Sequence, residues 1–197
     1  NSNRYLIGAL LKKWGITPYN IKHIPDDRHL MLETFRKAMD ADILIISGAV
    51  SAGDADFVPG VLEELGVKKL FHKLAIKPGK PMWCGQMRTG GMVFALPGNP
   101  FSSLVTFLLM IEDYLYRCFG LPEPVLLALP LNGQRQKKST LDEFFPVRIG
   151  GNPIAAIPVF FNSSGDILAA LQADGLAWQP ASTQSLENGN VVQVFKF

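Results

Sequence analysis

The stretch "ISGAVSAGDADF", residues 46–57, follows the apolar run "ADILI" and combines small residues with two carboxylates. A loop that only turns the chain needs one or two glycines, whereas this loop also carries hydroxyl groups. The residues of this loop that could take part in binding or catalysis are Ser47, Gly48, Ser51, Gly53, Asp54 and Asp56. Glycine amides can cradle an anion, and carboxylates can hold a hard cation such as Mg²⁺ beside phosphate oxygens. The stretch therefore predicts an oxyanion and metal site.

Two further loops, "KPGKP" and "PGNPFSS", carry complementary groups. The first brings Lys77 and Lys80, whose ammonium groups suit phosphate or another oxyanion. The second, residues 97–103, places Ser102 where a helix pattern begins, and a helix N-terminus favours an anion. All three loops follow predicted strands, and ligands of open α/β sheets bind at the carboxyl ends of strands. We therefore expect the loops to converge on a phosphate-bearing ligand.

Each of these groups also has an ordinary structural interpretation. Either aspartate of the first loop can cap the helix that follows, and Ser102 is itself an N-cap candidate. Lysines on a glycine turn are often plain surface residues, and residues 97–100 have high turn propensity. In "PDD", both Asp26 and Asp27 can cap a helix. The convergence of three loops with complementary chemistry favours the functional interpretation.

The elements that must position these groups alternate between helix and strand up to about residue 120. The continuous apolar runs "DILII" and "GMVFAL" are typical of strands buried on both faces of a parallel sheet, and "KLFHKLAI" is a less regular strand candidate. Helical patterns separate these runs, which predicts an α/β layer fold. After residue 124, prolines and glycines punctuate short apolar runs, which predicts a small all-β domain with one helical patch at "DILAALQADG".

Composition excludes several classes of protein. The 197 residues are 48% hydrophobic with a formal charge of +2, which argues against a polybasic nucleic-acid binder. No apolar run reaches the roughly 18 residues of a membrane span, and the first residues lack a signal-peptide pattern. Two cysteines and three scattered histidines indicate neither a disulfide framework nor a Cys/His metal site, and fit a reducing cytoplasm. Since the chain does not begin with methionine, we expect a fragment of a longer chain.

The segments "SGAVSAGDADFVPGVLEELG", "LAIKPGKP" and "LPGNPFSSLVTF", in this order and spacing, resemble the molybdopterin molybdenumtransferase family, which includes the matching domain of gephyrin. The resemblance implies a molybdopterin-binding α/β domain over residues 1–122, a three-layer sandwich with a mostly parallel sheet whose first strand is missing here. It implies a β-barrel-like domain over residues 123–197. The implied reaction inserts molybdate into adenylylated molybdopterin and releases AMP, with Mg²⁺ assisting. The family also implies a cytoplasmic homodimer.

The resemblance assigns roles to particular residues. It implies Asp56 and Asp26 as catalytic carboxylates, and Asp54 with Asp56 as metal ligands. Lys77 and Lys80 are implied as oxyanion contacts. The full set of implied substrate-binding residues is Ser47, Gly48, Ser51, Gly53, Lys77, Lys80, Pro97, Gly98, Asn99, Pro100, Ser102, Ser163 and Ser164.

Two departures from the family pattern bear on activity. Ala49 replaces the second glycine of Ser-Gly-Gly-Val-Ser, and a positive φ there would cost about 1 kcal/mol. Thr140 or Leu141 stands where the family has an arginine that binds molybdate. The cations nearby that can substitute are Arg135, Lys137 and Lys138. The family's N-terminal domains are also absent, so we expect the fragment not to be fully active alone.

Two other functions remain open. A molybdopterin adenylyltransferase shares the α/β domain but lacks the appended β domain, and such an enzyme is also a candidate partner. A non-catalytic scaffold or binding module of the same fold is the second alternative. Ala49 and the missing arginine favour it, whereas Asp56, Lys77 and Ser102 favour the transferase.

Overall fold

The computed structural model describes residues 2–50, 57–161 and 167–197. The predicted site residues outside these ranges are Ser51, Gly53, Asp54, Asp56, Ser163 and Ser164. The chain divides into two compact units, the first comprising Asn1–Leu74 and Gly79–Phe107, the second Ala75–Pro78 and Leu108–Phe197. The predicted domain boundary after residue 122 stays a prediction. It assigns residues 75–78 to the first domain, whereas Ala75–Pro78 belongs to the second unit.

Helices and strands alternate in the first part of the chain, and strands dominate the rest. The helices are α1 (Ser2–Lys13), α2 (Arg28–Arg36), α3 (Phe57–Glu64), α4 (Pro100–Thr106), α5 (Asp113–Cys118) and α6 (Ile167–Leu171), with a π-helical segment at Phe107–Glu112. The strands are β1 (Ile43–Ser47), β2 (Lys68–His72), β3 (Ile76–Lys77), β4 (Trp83–Gln86), β5 (Met92–Leu96), β6 (Leu127–Pro130), β7 (Arg135–Gln136), β8 (Asp142–Gly150), β9 (Ala155–Pro158), β10 (Gly175–Gln179), β11 (Ser185–Leu186) and β12 (Val191–Lys196). Within the described ranges, no helix is long and apolar enough to cross a membrane.

A four-stranded sheet in the order β1-β5-β4-β2 forms the centre of the first unit. β1 pairs in parallel with β5, which confirms the predicted pairing of "DILII" with "GMVFAL". β4 runs antiparallel to both β5 and β2, so the described sheet is mixed rather than mostly parallel. The reason is the short connection "MRTGG", which reverses the chain between β4 and β5 and contains Gly90 at a φ of 98°, where a side chain is disfavoured.

Helices cover both faces of this sheet. Val93 and Ala95 of β5 belong to one buried cluster with the apolar side chains of α2 and α3. Because side chains alternate along a strand, Phe94 and Leu96 face the opposite side, where α4 contacts β5 and α1 contacts α4. Both pairs of side chains are fully or almost fully buried. The expected three-layer arrangement is therefore confirmed for the described residues.

The limits of two helices follow the predicted signals. α1 is followed by Gly15, whose φ of 68° ends the helix, and the amide of Ile16 donates to the carbonyl of Leu11 at 3.1 Å. α3 carries Pro59 in its first turn, and Gly66 beyond its end has a φ of 80°. Proline early and glycine just past the end are the expected asymmetry of helix termini.

Strands dominate the second unit, as predicted for the chain after residue 124, and α5, α6 and most of the π-helical segment also belong to it. Its main sheet has the order β3-β8-β10-β12-β6, and β9 pairs with the C-terminal half of β8. β3 is parallel to β8 and the other pairs are antiparallel. A bridge between Leu131 and Ala156, and a 2.8 Å hydrogen bond from the amide of Asn132 to the carbonyl of Ala156, join the chain after β6 to β9. The sheet therefore curves back on itself, which supports the expected barrel-like shape.

Candidate functional site

The carboxyl ends of β1 and β5 meet at one edge of the first sheet. Ser47 lies opposite Leu96 in the parallel register, and the amide of Gly48 donates to the carbonyl of Leu96 at 3.0 Å. The two chains remain close beyond the strands, because a Cβ added to Gly98 would lie 3.7 Å from the Cα of Gly48. Two of the three predicted loops therefore begin side by side, as a parallel pair requires.

The turn "PGNP" leads directly into α4, which begins earlier than predicted. Asn99 is the N-cap and Pro100 is the first helical residue, so the expected cap at Ser102 or Ser103 is wrong. Proline fixes the backbone angle that a first helical position needs and lacks only a donor that would stay unused there. Both serines are buried in the first turn, and the hydroxyl of Ser103 donates to the carbonyl of Pro97 at 2.5 Å.

The two aspartates of "PDD" have different surroundings. Asp27 is the N-cap of α2, and its carboxylate accepts from the amide of Leu30 at 2.9 Å. Asp26 is exposed and lines a cavity of about 510 Å³, whose lining also includes Ser47 and Gly48. The capping role therefore falls on Asp27, and Asp26 lines the same cavity as two other predicted site residues.

That cavity is elongated along β1 rather than confined to the site. Its lining includes Ile43–Ile46, the segment around Ile16–Ile24, and side chains of α1 and α2. β1 is an outer strand of the sheet, and its residues are only half-buried, although the sequence predicts burial on both faces. The cavity is thus a groove beside the edge of β1, lined by apolar side chains and by polar and charged ones that include Arg4, Lys22 and Lys37 as well as Ser47. The predicted residues Lys80, Pro97, Gly98, Asn99, Pro100 and Ser102 do not line it.

Asn3 is a site residue that sequence reasoning missed. Its side-chain amide donates to the hydroxyl of Ser47 at 2.6 Å and to the carbonyl of Gly98 at 2.8 Å, and its side chain is buried. It therefore joins the first turn of α1 to the ends of both β1 and β5. A signal was present in the sequence, because Asn3 lies on the same helical face as Ile7 and Leu10.

Ala49 adopts the backbone conformation that the missing glycine would favour. Its φ is 53° and that of the preceding Gly48 is 96°. The left-handed region brings a Cβ too close to the backbone carbonyl, at a cost of about 1–2 kcal/mol per residue. Ala49 thus has the positive φ that carries this cost, and the backbone of this loop is strained at the point where it leaves Gly48.

The loop "KPGKP" does not leave a strand of the first sheet, contrary to expectation. "KLFHKLAI" forms two strands, and the second, β3, pairs with β8 of the second unit. Lys77 therefore belongs to the second unit and Lys80 to the first. The side chains of both lysines are exposed. Apolar and polar residues alternate irregularly in this segment because the chain leaves the sheet of the first unit after His72 and joins the main sheet of the second unit.

Lys77 lies beside a buried carboxylate. The register of β3 and β8 pairs Lys77 with Glu143, and the Lys77 Nζ to Glu143 Oε1 distance is 3.4 Å. Arg135 binds the other carboxylate oxygen at 2.5 Å, and Ser139 donates to Oε1 at 2.7 Å. Burial raises the pKa of Glu143, but these hydrogen bonds and the charges of Arg135 and Lys77 outweigh it, and the pKa lies below its ordinary value.

The proposed substitutes for the missing arginine already have partners within the second unit. Arg135 binds Glu143 and Gln179, and its guanidinium lies 4.5 Å from the ring centre of Phe145. Lys137 is almost fully buried, and its ammonium donates to the carbonyl of Leu141 at 2.8 Å and to that of Pro180. Lys138 is exposed.

The predicted metal ligands Asp54 and Asp56 lie outside the described residues. In the parts of the chain that the structure describes, no cluster of three His, Cys, Asp or Glu side chains is arranged to hold a metal ion. Asp26 is the predicted carboxylate that the structure does describe, and it lines the same cavity as Ser47.

Comparisons with known proteins agree with this architecture. A family model described as "Probable molybdopterin binding domain" matches residues 1–117. A molybdopterin molybdenumtransferase from Synechocystis is 34% identical over 193 residues, covering 95% of this chain and 47% of the relative. One from Haemophilus influenzae is 37% identical over 121 residues, covering 61% of this chain and 30% of the relative.

A solved structure has the same fold as the whole described chain. The molybdopterin biosynthesis MoeA protein from Pyrococcus horikosii superposes with a TM-score of 0.81 at 29% identity, covering 98% of this chain and 47% of that one. The chain thus spans about half the length of these full-coverage relatives.

Proposed function

Because this chain belongs to the family of probable molybdopterin binding domains, we propose that it is part of a molybdopterin molybdenumtransferase, an enzyme of molybdenum cofactor biosynthesis. The reaction inserts molybdate into adenylylated molybdopterin and releases AMP. The observation that carries the proposal is the sheet edge where β1 and β5 end together, beside a cavity whose lining includes Asp26, Ser47 and Gly48.

This edge supplies neutral donors and close backbone approach, which suit a phosphate group. The hydroxyl of Ser47 and the turn at residues 97–100 stand on adjacent strand ends, and we propose that they bind adenylylated molybdopterin. Ser51 and Gly53 of the first loop complete this proposed set. Small residues there let the ligand approach the backbone.

Carboxylates are proposed as the catalytic groups. Asp26 and Asp56 would act near the phosphates, and Asp54 with Asp56 would hold Mg²⁺. Two carboxylates fit that ion, because Mg²⁺ commonly takes one or two from the protein and completes its shell with water and substrate phosphate. When bound, Mg²⁺ would offset the repulsion between the phosphate and molybdate anions.

Cations and hydroxyls are proposed to hold molybdate. Lys77 and Lys80 present exposed ammonium groups, and Ser102 occupies the first turn of α4. Ser163 and Ser164 are proposed as further hydroxyl donors. Several donors are required, because molybdate is a small dianion whose charge must be met from more than one direction.

The proposed setting is the cytoplasm, with the whole protein working as a homodimer on small-molecule substrates. A molybdopterin adenylyltransferase is the proposed partner, since it would supply the adenylylated substrate.

The test is molybdate-dependent AMP release from adenylylated molybdopterin by the whole protein. Asp56→Asn is expected to lower turnover by about 10²–10³-fold while weakening substrate binding far less. Asp40→Asn, at an exposed position of the first unit, is the matched control and should leave turnover unchanged. Unaltered turnover of Asp56→Asn at saturating Mg²⁺ would assign Asp56 to capping of α3.

The same assay separates the two alternatives. An adenylyltransferase would consume ATP and molybdopterin and produce the adenylylated compound. A binding module would bind the substrate without releasing AMP. The strained Ala49 and the engagement of Arg135 and Lys137 by other groups favour the binding module as the second candidate.

A further inference from the structure

Asn3 makes contacts that neither helix capping nor core packing explains. Its amide nitrogen contacts the hydroxyl oxygen of Ser47 and the carbonyl of Gly98. We propose that Asn3 is a positioning residue that makes the Ser47 hydroxyl a hydrogen-bond donor for a substrate oxyanion. This inference rests on the proposed function and adds to it a residue and a donor direction.

The contact with Asn3 determines where the hydroxyl hydrogen of Ser47 can point. A hydroxyl has one hydrogen to donate and two lone pairs that accept. The Asn3 amide can only donate through its nitrogen, so the 2.6 Å contact uses a lone pair of Ser47. The hydroxyl hydrogen of Ser47 must therefore point elsewhere, where it can donate to an anion.

The second amide hydrogen of Asn3 fixes the orientation of its side chain. It donates to the carbonyl of Gly98 at 2.8 Å, which cannot donate in return. A flipped side chain would set two acceptors, Oδ1 and the Gly98 carbonyl, against each other. The donor face of Asn3 is thereby turned toward Ser47.

The side-chain oxygen of Asn3 is in an unfavourable position, which supports a functional role for the hydrogen bonds that its nitrogen donates. Asn3 Oδ1 is buried and has no hydrogen-bond partner among the described residues. An unsatisfied buried acceptor is costly and needs an explanation, and an apolar side chain on this face of α1 would avoid it. Its position on strand ends that are proposed to bind substrate supplies that explanation.

The cavity provides access to Ser47. Ser47 is half-buried and lines the cavity together with Gly48 and Asp26. Because Asp26 is acidic, a hydrogen-bond donor at Ser47 supplies a contact in the same cavity that attracts an anion.

The experiment uses inorganic phosphate as the probe, titrated into the 197-residue chain by NMR. Asn3→Leu, which has similar size and no donor, and Ser47→Ala are each expected to weaken phosphate binding about 3- to 10-fold, the loss of one hydrogen bond. In the Ser47→Ala background, Asn3→Leu should add less than about twofold, because residues that act through one another are not additive. Asn132→Leu, at an exposed position, is the control.

A second variant guards against a folding defect. Asn3→Asp keeps the shape but replaces the donor with an acceptor, so the Ser47 hydroxyl must donate inward and phosphate binding should again weaken. The side-chain amide signal of Asn3 should also shift in Ser47→Ala, which reports the contact itself.

The outcomes distinguish the inference from the function on which it rests. If Ser47→Ala weakens phosphate binding and both Asn3 variants retain it, the inference is overturned and the proposed function stands. If Asn3→Leu weakens phosphate binding equally in the unaltered and in the Ser47→Ala background, the inference is overturned as well. If Ser47→Ala binds phosphate as tightly as the unaltered chain, or if the unaltered chain does not bind phosphate, both the inference and the proposed function are contradicted.

Discussion

At the scale of single residues, Ala49 is a point where sequence and backbone disagree. Its φ of 53° suits glycine, so Ala49→Gly should raise the free energy of unfolding by about 1 kcal/mol. Ala9→Gly, on the exposed surface of α1, is the control and should lower it by a similar amount. Urea unfolding of the three proteins measures both values. A loss of stability in Ala49→Gly would mean that the left-handed conformation is not strained.

Single residues also show what a sequence can and cannot predict. The positive φ at Ala49 was predictable because a family pattern places glycine there, and backbone strain is local. The different roles of Asp26 and Asp27 were not predictable, since both satisfy the same capping rule and only the position of α2 separates them. Asn3 depends on a contact with Gly98, 95 residues away, which no local pattern contains.

Glu143 is the residue whose charge ties β3 to β8. Its pKa is lowered in the folded state, so its ionised form stabilises the fold above the unfolded-state pKa of about 4.3. That stabilisation is lost as the pH falls through the lower folded-state pKa. Glu143→Gln should lower the free energy of unfolding at pH 7 by about 3 kcal/mol, because it leaves Arg135 without its carboxylate.

The measurement compares urea unfolding of this variant at pH 7 and pH 3. The difference from the unaltered protein should shrink at pH 3, which lies below the unfolded-state pKa, because the stabilisation from ionised Glu143 declines there. Glu187→Gln, at an exposed position, should show neither effect. A pH-independent difference would mean that Glu143 acts through packing instead of charge.

At the scale of elements, periodicity located β1 and β5 because each is a continuous apolar run. It missed β4 and β10, "WCGQ" and "GLAWQ", where glycine and polar residues interrupt the pattern although both strands are central in their sheets. It also joined β2 to β3, because a change of sheet leaves no mark in local hydrophobicity. Strand pairing is a long-range property, and it decides these cases.

The open edge of β1 carries a prediction about this element. Gly48 donates to β5, and alternate amides of a parallel strand point the same way, so those of Leu44 and Ile46 face β5. The amides of Ile43 and Ile45 face the groove. We expect these two to exchange with deuterium at least about tenfold faster than Leu44 and Ile46, because open backbone groups lack protection.

Hydrogen exchange followed by NMR provides the comparison within one strand. Equal protection of all four amides would show that the edge is already covered in this chain.

At the scale of the whole molecule, the family and the two-part architecture were predictable because three motifs keep their order and spacing along the chain. The division into units was harder, because Ala75–Pro78 pairs with β8 while the residues on both sides of it belong to the first unit. The chain also spans about half of the full-coverage relatives, so its activity has to be tested on the whole protein.

Oxyanion capture by the whole protein provides the last prediction. Among the described cations proposed as substitutes for the missing arginine, Arg135 and Lys137 are held by Glu143, Gln179 and two carbonyls. Leu141→Arg should therefore supply a planar, always-charged group where the family has one. A charge-assisted hydrogen bond contributes about 1.5–3 kcal/mol, which corresponds to roughly 10- to 150-fold tighter molybdate binding.

Titration calorimetry with molybdate measures this affinity, and the molybdate needed for half-maximal AMP release should fall with it. Leu127→Arg places the same charge at another partly exposed leucine of the second unit, and its affinity should stay within about twofold of the unaltered protein because a surface charge is largely screened. An increase shared by both variants would indicate general attraction between the anion and added positive charge. Equal affinity of Leu141→Arg and the unaltered protein would mean that residue 141 does not reach molybdate, and Lys138 would become the next cation to test.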